Sequence, residues 1–95
     1  MAAYVVCDIE VTDPEGYEGY KALSGPSVEK YGGRYLARGA EVAVLEGEWR
    51  PSRFVIIEFD DVATARRWYD GPEYTEAREI RQASSKASFI LAPGV

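Results

Sequence analysis

The sequence predicts an α+β domain with elements in the order β-α-β-β-α-β, and three observations carry that prediction. Runs rich in β-branched and aromatic residues occur at 3–11, 34–46, 53–59 and 87–91. The stretches between the first and second and between the third and fourth repeat their larger side chains every three to four residues, the spacing of one helix face. Glycine or proline punctuates the junctions, at Pro14, Gly32-Gly33, Gly47, Pro51 and Gly71-Pro72.

The first strand is expected over Ala3 to Val11. Val5, Cys7, Ile9 and Val11 alternate onto one face, leaving Tyr4, Val6, Asp8 and Glu10 on the other. Asp13 can then cap a helix whose first position, Pro14, has no N–H to leave unsatisfied. Tyr17, Tyr20, Ser24, Ser27 or Val28, and Tyr31 mark its inner stripe. Gly25-Pro26 is expected to kink or break that helix, because proline removes a ladder donor. Gly32-Gly33 supplies a left-handed stop; it lacks phosphate-loop spacing and follows a helix rather than preceding one.

Arg34 to Glu46 is expected to be a long strand with a bulge or bend at Gly39. Arg53 to Phe59 is the next, and Phe54-Val55-Ile56-Ile57 suggests burial on both faces. Asp60 or Asp61 caps a helix carrying Val62, Ala65, Trp68 and Tyr69 inward. Gly71-Pro72 separates it from a second piece with Tyr74, Ala77 and Ile80 inward. Ala87 to Leu91 is a short last strand with Phe89 and Leu91 inward, and Pro93-Gly94 a tail. Tyr17, Tyr20, Tyr31, Trp68 and Tyr69 fall at core spacing; Tyr35 and Tyr74 flank turns and are weaker core candidates. Four strands and two helical regions in this order form a split β-α-β, the ferredoxin-like arrangement, with both helices on one face of an antiparallel sheet.

Ninety-five residues make a single domain, 1–95, that buries only about 60–65% of its unfolded surface. The other face of the sheet would carry Tyr4, Val6, Phe54, Ile56 and Ile90, too much contiguous apolar surface to leave in water. A second copy is the expected cover, so a homodimer is predicted.

Composition narrows the chemistry. The net charge of -5 argues against nucleic acid or an anionic membrane as main partner. A single cysteine, no signal-like start and no apolar run near ~20 residues lead to a cytoplasmic expectation. With no histidine, the chain lacks the usual general base, triad member, zinc ligand and haem axial ligand, so no metal or cofactor is expected. Cys7, mid-strand, reads as an inert buried thiol.

Asp8 and Glu58 are the candidate acid/base pair: two carboxylates on neighbouring strands amid apolar residues can have raised pKa values. Arg34, Tyr35 and Arg38 are the candidate substrate-binding groups, and the two arginines could compensate those carboxylates if the second strand presents them to the same face. The alternative is a salt-bridged network at the dimer seam. Arg78 and Arg81 read as solvated surface, with an anionic ligand at the open end as the other possibility.

Lys30 to Gly39, Leu45-Glu46-Gly47-Glu48-Trp49, Ile56 to Phe59, Ala65 to Tyr69, and Pro72-Glu73-Tyr74 with Arg81 together resemble the domain-of-unknown-function family 1330 over nearly the whole chain. The resemblance implies a ferredoxin-like fold in the dimeric α/β-barrel superfamily. Relatives there include muconolactone isomerases, chlorite-dismutase-like haem proteins and cofactor-free monooxygenases, with sites usually in the cleft between the sheet and the helices or loops. It transfers no catalytic residue. The functional expectations are a cofactor-free small-molecule enzyme of isomerase, lyase or monooxygenase type acting on a small organic acid or aromatic, or a non-catalytic dimeric small-molecule-binding or stress-associated module.

Overall fold

The computed structural model describes residues 1–95, leaving aside the side chain of Ala40. Strand β1 (Ala3–Val11) leads into helix α1 (Pro14–Lys30), strands β2 (Arg34–Ala40) and β3 (Arg53–Phe59), helices α2 (Val62–Asp70) and α3 (Pro72–Ser84), and strand β4 (Ser85–Pro93). The sheet is antiparallel in the order β2-β3-β1-β4, so the first and third strands form its centre as expected.

Local chemistry explains most boundaries. The Asp13 carboxylate accepts from the Gly16 N–H and opens α1. At the other end the Gly33 N–H reaches the Val28 carbonyl and the Gly32 N–H that of Glu29, a Schellman closure made possible by Gly32 at φ 72°. Asp61, rather than Asp60, caps α2 through the Thr64 N–H.

Three expectations need correction. Gly25-Pro26 does not break α1, which runs through Pro26. Gly25 has no Cβ to collide with the proline ring, and the carbonyl that loses its donor belongs to Ala22, on the exposed side. Strand β2 ends at Ala40 instead of Glu46, and residues 41–52 leave the sheet. Strand β4 is longer than 87–91: it pairs with β1 from Ser85 opposite Val11 to Pro93 opposite Ala3. An edge strand needs only its backbone for that pairing, and proline is tolerated there.

Alternation sorts the sheet as predicted. Ala3, Val5, Cys7, Ile9, Val55, Ile57 and Phe59 are buried beneath the helices, with Trp68 and Tyr74 fully enclosed among them. Tyr74, a weak core candidate from sequence, is thus central. Its ring packs 4.1 Å from that of Trp68. The serines on the inner face of α1 have a purpose: Ser27 Oγ accepts from Trp68 Nε1 and donates to the Ser24 carbonyl. On the other face Tyr4, Val6, Phe54 and Ile56 are only half-buried in the single chain, and Ile90 is 62% exposed.

Candidate functional site

The decisive local feature is a doubly bulged β2. Register shifts fall between Tyr35 and Ala37 and between Arg38 and Ala40. Gly39, at φ 66°, accommodates the second; the sequence foresaw this bulge and not the first. Each extra residue reverses the alternation. Arg34 therefore stands opposite Glu58, whereas Arg38 stands opposite Val55, a residue buried under the helices. Arg34 and Arg38 do not share a face.

The predicted cluster of Asp8, Glu58 and Arg38 is accordingly not gathered. Tyr4 faces Glu58 and Phe54 faces Asp8, placing the two carboxylates four residues apart along the strands, roughly 13 Å. Each has its own partner on the open face. Glu58 forms an ion pair with Arg34. Asp8 accepts from Trp49 Nε1 at 3.0 Å and from the Ser52 N–H at 2.9 Å, tying segment 41–52 to the sheet.

The helix side of the sheet gathers polar groups instead. Between α1 and the strands lies a crevice floored by Cys7, Ile9, Val55 and Ile57. Tyr17, Tyr20, Lys21 and Ser24 enter it from α1, Tyr35 and Arg38 from β2, and Arg53 from β3. Its free space is about 20 Å³, room for one water. At the mouth the Arg38 guanidinium lies over the Tyr35 ring, 4.2 Å from its centroid. Arg53 approaches the Tyr17 ring at 5.8 Å. Behind the Cys7 wall is Arg81, only 5% exposed, stacked 4.3 Å from the centre of Phe89, the β4 neighbour of Cys7. This overturns the expectation of a solvated Arg81.

The electrostatics are lopsided. Among the described residues the side-chain ion pairs are Lys21–Glu18, Lys30–Glu73 and Arg34–Glu58, so Arg38, Arg53 and Arg81 lack a carboxylate in a chain that carries sixteen acidic residues. The acids of the crevice hold their protons. Burial pushes the Cys7 thiol up to about 12, with the Arg81 charge opposing. Burial raises the Tyr17 hydroxyl against the pull of Arg53. Tyr20 is raised by burial and by Tyr74, whose hydroxyl lies 2.9 Å away. Burial also lifts Tyr74 up to about 12, opposed by the bond to Tyr20 and by Arg81. Cations and protonated phenols stabilise negative charge; they do not remove protons. Among the described residues no group of three or more His, Cys, Asp or Glu side chains converges to hold a metal ion.

Of the substrate-binding candidates, Tyr35 and Arg38 reach this crevice and Arg34 does not. Sequence reasoning missed Tyr17, Tyr20, Lys21, Ser24 and Arg53 as site residues, and it read Arg81 as solvated surface with an anionic ligand as the other possibility. Two signals were available. Arg53 has the parity of Val55 and Ile57, and Arg81 falls seven residues after Tyr74, on the same helical stripe.

A family model for a domain of unknown function, DUF1330, matches residues 2–95. The chain belongs to the DUF1330 family. No curated protein matches it. Solved structures share the fold of this DUF1330 chain. A protein of unknown function from Rhodopseudomonas palustris is 22% identical, with a TM-score of 0.80 over 99% of this chain and 82% of its own. A dimeric ferredoxin-like protein of unknown function from Jannaschia sp. CCS1 is 11% identical, with a TM-score of 0.73 over 99% and 100% of the two chains. SnoaB, a cofactor-independent oxygenase from Streptomyces nogalater, is 16% identical, with a TM-score of 0.67 over 99% and 93%. At these identities the likeness establishes the ferredoxin-like fold. No helix of the DUF1330 chain is long and apolar enough to cross a membrane.

Proposed function

We propose that this protein is a homodimer that binds a small organic anion in the crevice of each subunit and acts on it without a cofactor. The observation that carries this reading is the convergence of Arg38, Arg53 and four hydroxyl side chains, Tyr17, Tyr20, Ser24 and Tyr35, on a crevice with no carboxylate in it. Such a lining favours a carboxylate, phenolate or enolate. Chemistry of the isomerase, lyase or monooxygenase type passes through anions of this kind. The description of SnoaB as a cofactor-independent oxygenase supports placing such chemistry on this fold.

In this reading Tyr35 and Arg38 keep the substrate-binding role expected of them. Asp8 and Glu58 serve acid/base work only from the open face, so we assign them, with Arg34, to the seam between two copies. Support for a dimer comes from the half-buried apolar sheet face, from the neighbouring Leu45 (96% exposed) and Trp49 (62% exposed), and from dimeric relatives of the same fold. The protonated state of every crevice acid named above favours the second reading, a binding module without turnover, unless the ligand arrives already ionised.

Calorimetric titration with benzoate and with neutral benzamide tests the proposal. Saturable binding of benzoate but not benzamide, weakened in Arg38→Ala, is expected. Equal affinity for both probes, or binding indifferent to Arg38, would overturn it.

A further inference from the structure

We propose that the crevice and an outer depression between α1 and β2 are two halves of one site, divided by Arg38 where it rests on Tyr35. The ligand places its anionic head on Arg53 in the crevice and its body in the depression. At its far end it carries a positive or hydrogen-bond-donating group. This rests on the crevice reading above and adds the ligand's size and polarity: an aryl acid with a donor at the opposite end of the ring.

Size is the first reason. The crevice has about 20 Å³ of free space, which admits one water and not a ring. The depression, walled by Pro26, Val28 and Glu29 of α1, offers about 460 Å³, within the range of sites for small organic molecules. Tyr35 and Arg38 line both spaces and are the partition between them. Arg38 is an exposed residue in no ion pair among the described residues, with its guanidinium 4.2 Å from the Tyr35 ring centroid. Gly25 leaves it room on the α1 side, where even an added Cβ would lie 3.9 Å from Arg38 Nη2. Lifting Arg38 off the ring gives up one exposed cation–π contact, joins the two spaces and frees the Tyr35 face for an aromatic body.

Charge is the second reason. The bulge at Gly39 sets the position of Arg53: a Cβ there would stand 2.5 Å from Arg53 Nη1, so the guanidinium lies against bare backbone beside Arg38. The Arg53 Nε–H is buried and has no acceptor, and no carboxylate is ion-paired to this side chain among the described residues. A planar carboxylate entering the crevice supplies both the acceptor and the countercharge. Glu29 is the one carboxylate lining the depression, and it too is in no ion pair among the described residues. The sign of the charge therefore reverses along the site, from Arg53 and Arg38 to Glu29. A complementary ligand is anionic at the head and cationic or donating at the tail.

The experiment uses the full chain with 4-(aminomethyl)benzoate and its near-isostere 4-ethylbenzoate as probes. Affinities are measured by calorimetry for wild type, Arg53→Met and Glu29→Gln. Nuclear Overhauser contacts from the ligand ring are recorded on the wild type, so location is reported even if a variant fails to fold. Ring contacts to Pro26 and Val28 are expected. Arg53→Met should bind both acids about tenfold or more weakly, the loss of a hydrogen bond to a charged group. The aminomethyl acid should bind about two- to fivefold more tightly than the ethyl acid, as an exposed ion pair allows, and Glu29→Gln should erase that preference. Binding that depends on Arg38 but shows no ring contact to Pro26 or Val28, or is unchanged in Arg53→Met, overturns this inference and leaves the crevice reading standing. Equal affinity for the two acids, or a preference that survives Glu29→Gln, overturns the ligand class assigned here. Wild-type protein that binds neither acid removes both readings.

Discussion

Removing the Tyr20 and Tyr74 hydroxyls one at a time and together should give an unequal, non-additive pattern. Phenylalanine keeps both rings, and with them the edge contact at 6.1 Å and the Tyr74–Trp68 packing at 4.1 Å. Only the 2.9 Å bond between the hydroxyls is lost. Tyr20→Phe leaves the Tyr74 oxygen beside Arg81, still served by that donor, and should cost about 1 kcal/mol. Tyr74→Phe strands the buried Tyr20 hydroxyl and takes the phenol oxygen away from Arg81, for about 2–3 kcal/mol. The double variant has no stranded Tyr20 hydroxyl, so it should cost less than Tyr74→Phe alone, a coupling of more than about 1 kcal/mol. Chemical denaturation at matched protein concentration measures all three, and in melting temperature 1 kcal/mol corresponds to about 4–8 °C for a domain of this size. Equal single costs that simply add would refute the view that Arg81 leans on Tyr74.

Other outcomes follow from the same structure. Hydrogen bonds from Lys30 and then Tyr31 hold the Glu73 carboxyl down to about 2 from its usual 4.5. A depressed acid stabilises above its unfolded pKa and loses that contribution as pH falls; the stability gap between wild type and Glu73→Gln should be constant near neutrality, shrink below about pH 4.5 and close near pH 2, as read by denaturation across pH. Gly32→Ala meets no neighbour within 4 Å, so its cost should be the left-handed backbone alone, about 1–2 kcal/mol, and Gly32→Asn should recover part of it in thermal melts. Ile56→Glu, in the middle of the open face opposite Val6, should yield a folded monomer by analytical ultracentrifugation, whereas a dimer unchanged at micromolar concentration would place the interface elsewhere.

The fold was legible because its signals are local. Asp13-Pro14, Gly32-Gly33 and Asp61 are the caps their chemistry promised, and the alternation in β1 and β3 assigned both faces. Strand β4 was underestimated because Ser85, Lys86 and Ser88 carry no apolar pattern while their backbones still pair with β1. The site was less legible for one physical reason, register. A bulge between Tyr35 and Ala37 leaves no glycine to announce it, and it moved Arg38 from the face of Glu58 to the opposite one. Arg81 was visible by helical spacing and was passed over because arginines are mostly exposed.

The most direct measurement is chemical-shift mapping of benzoate on the isotopically labelled protein. The account predicts perturbations concentrated on Tyr17, Tyr20, Ser24, Tyr35, Arg38 and Arg53. Perturbations concentrated instead on Asp8, Ser52 and Lys86 of the open face would contradict it.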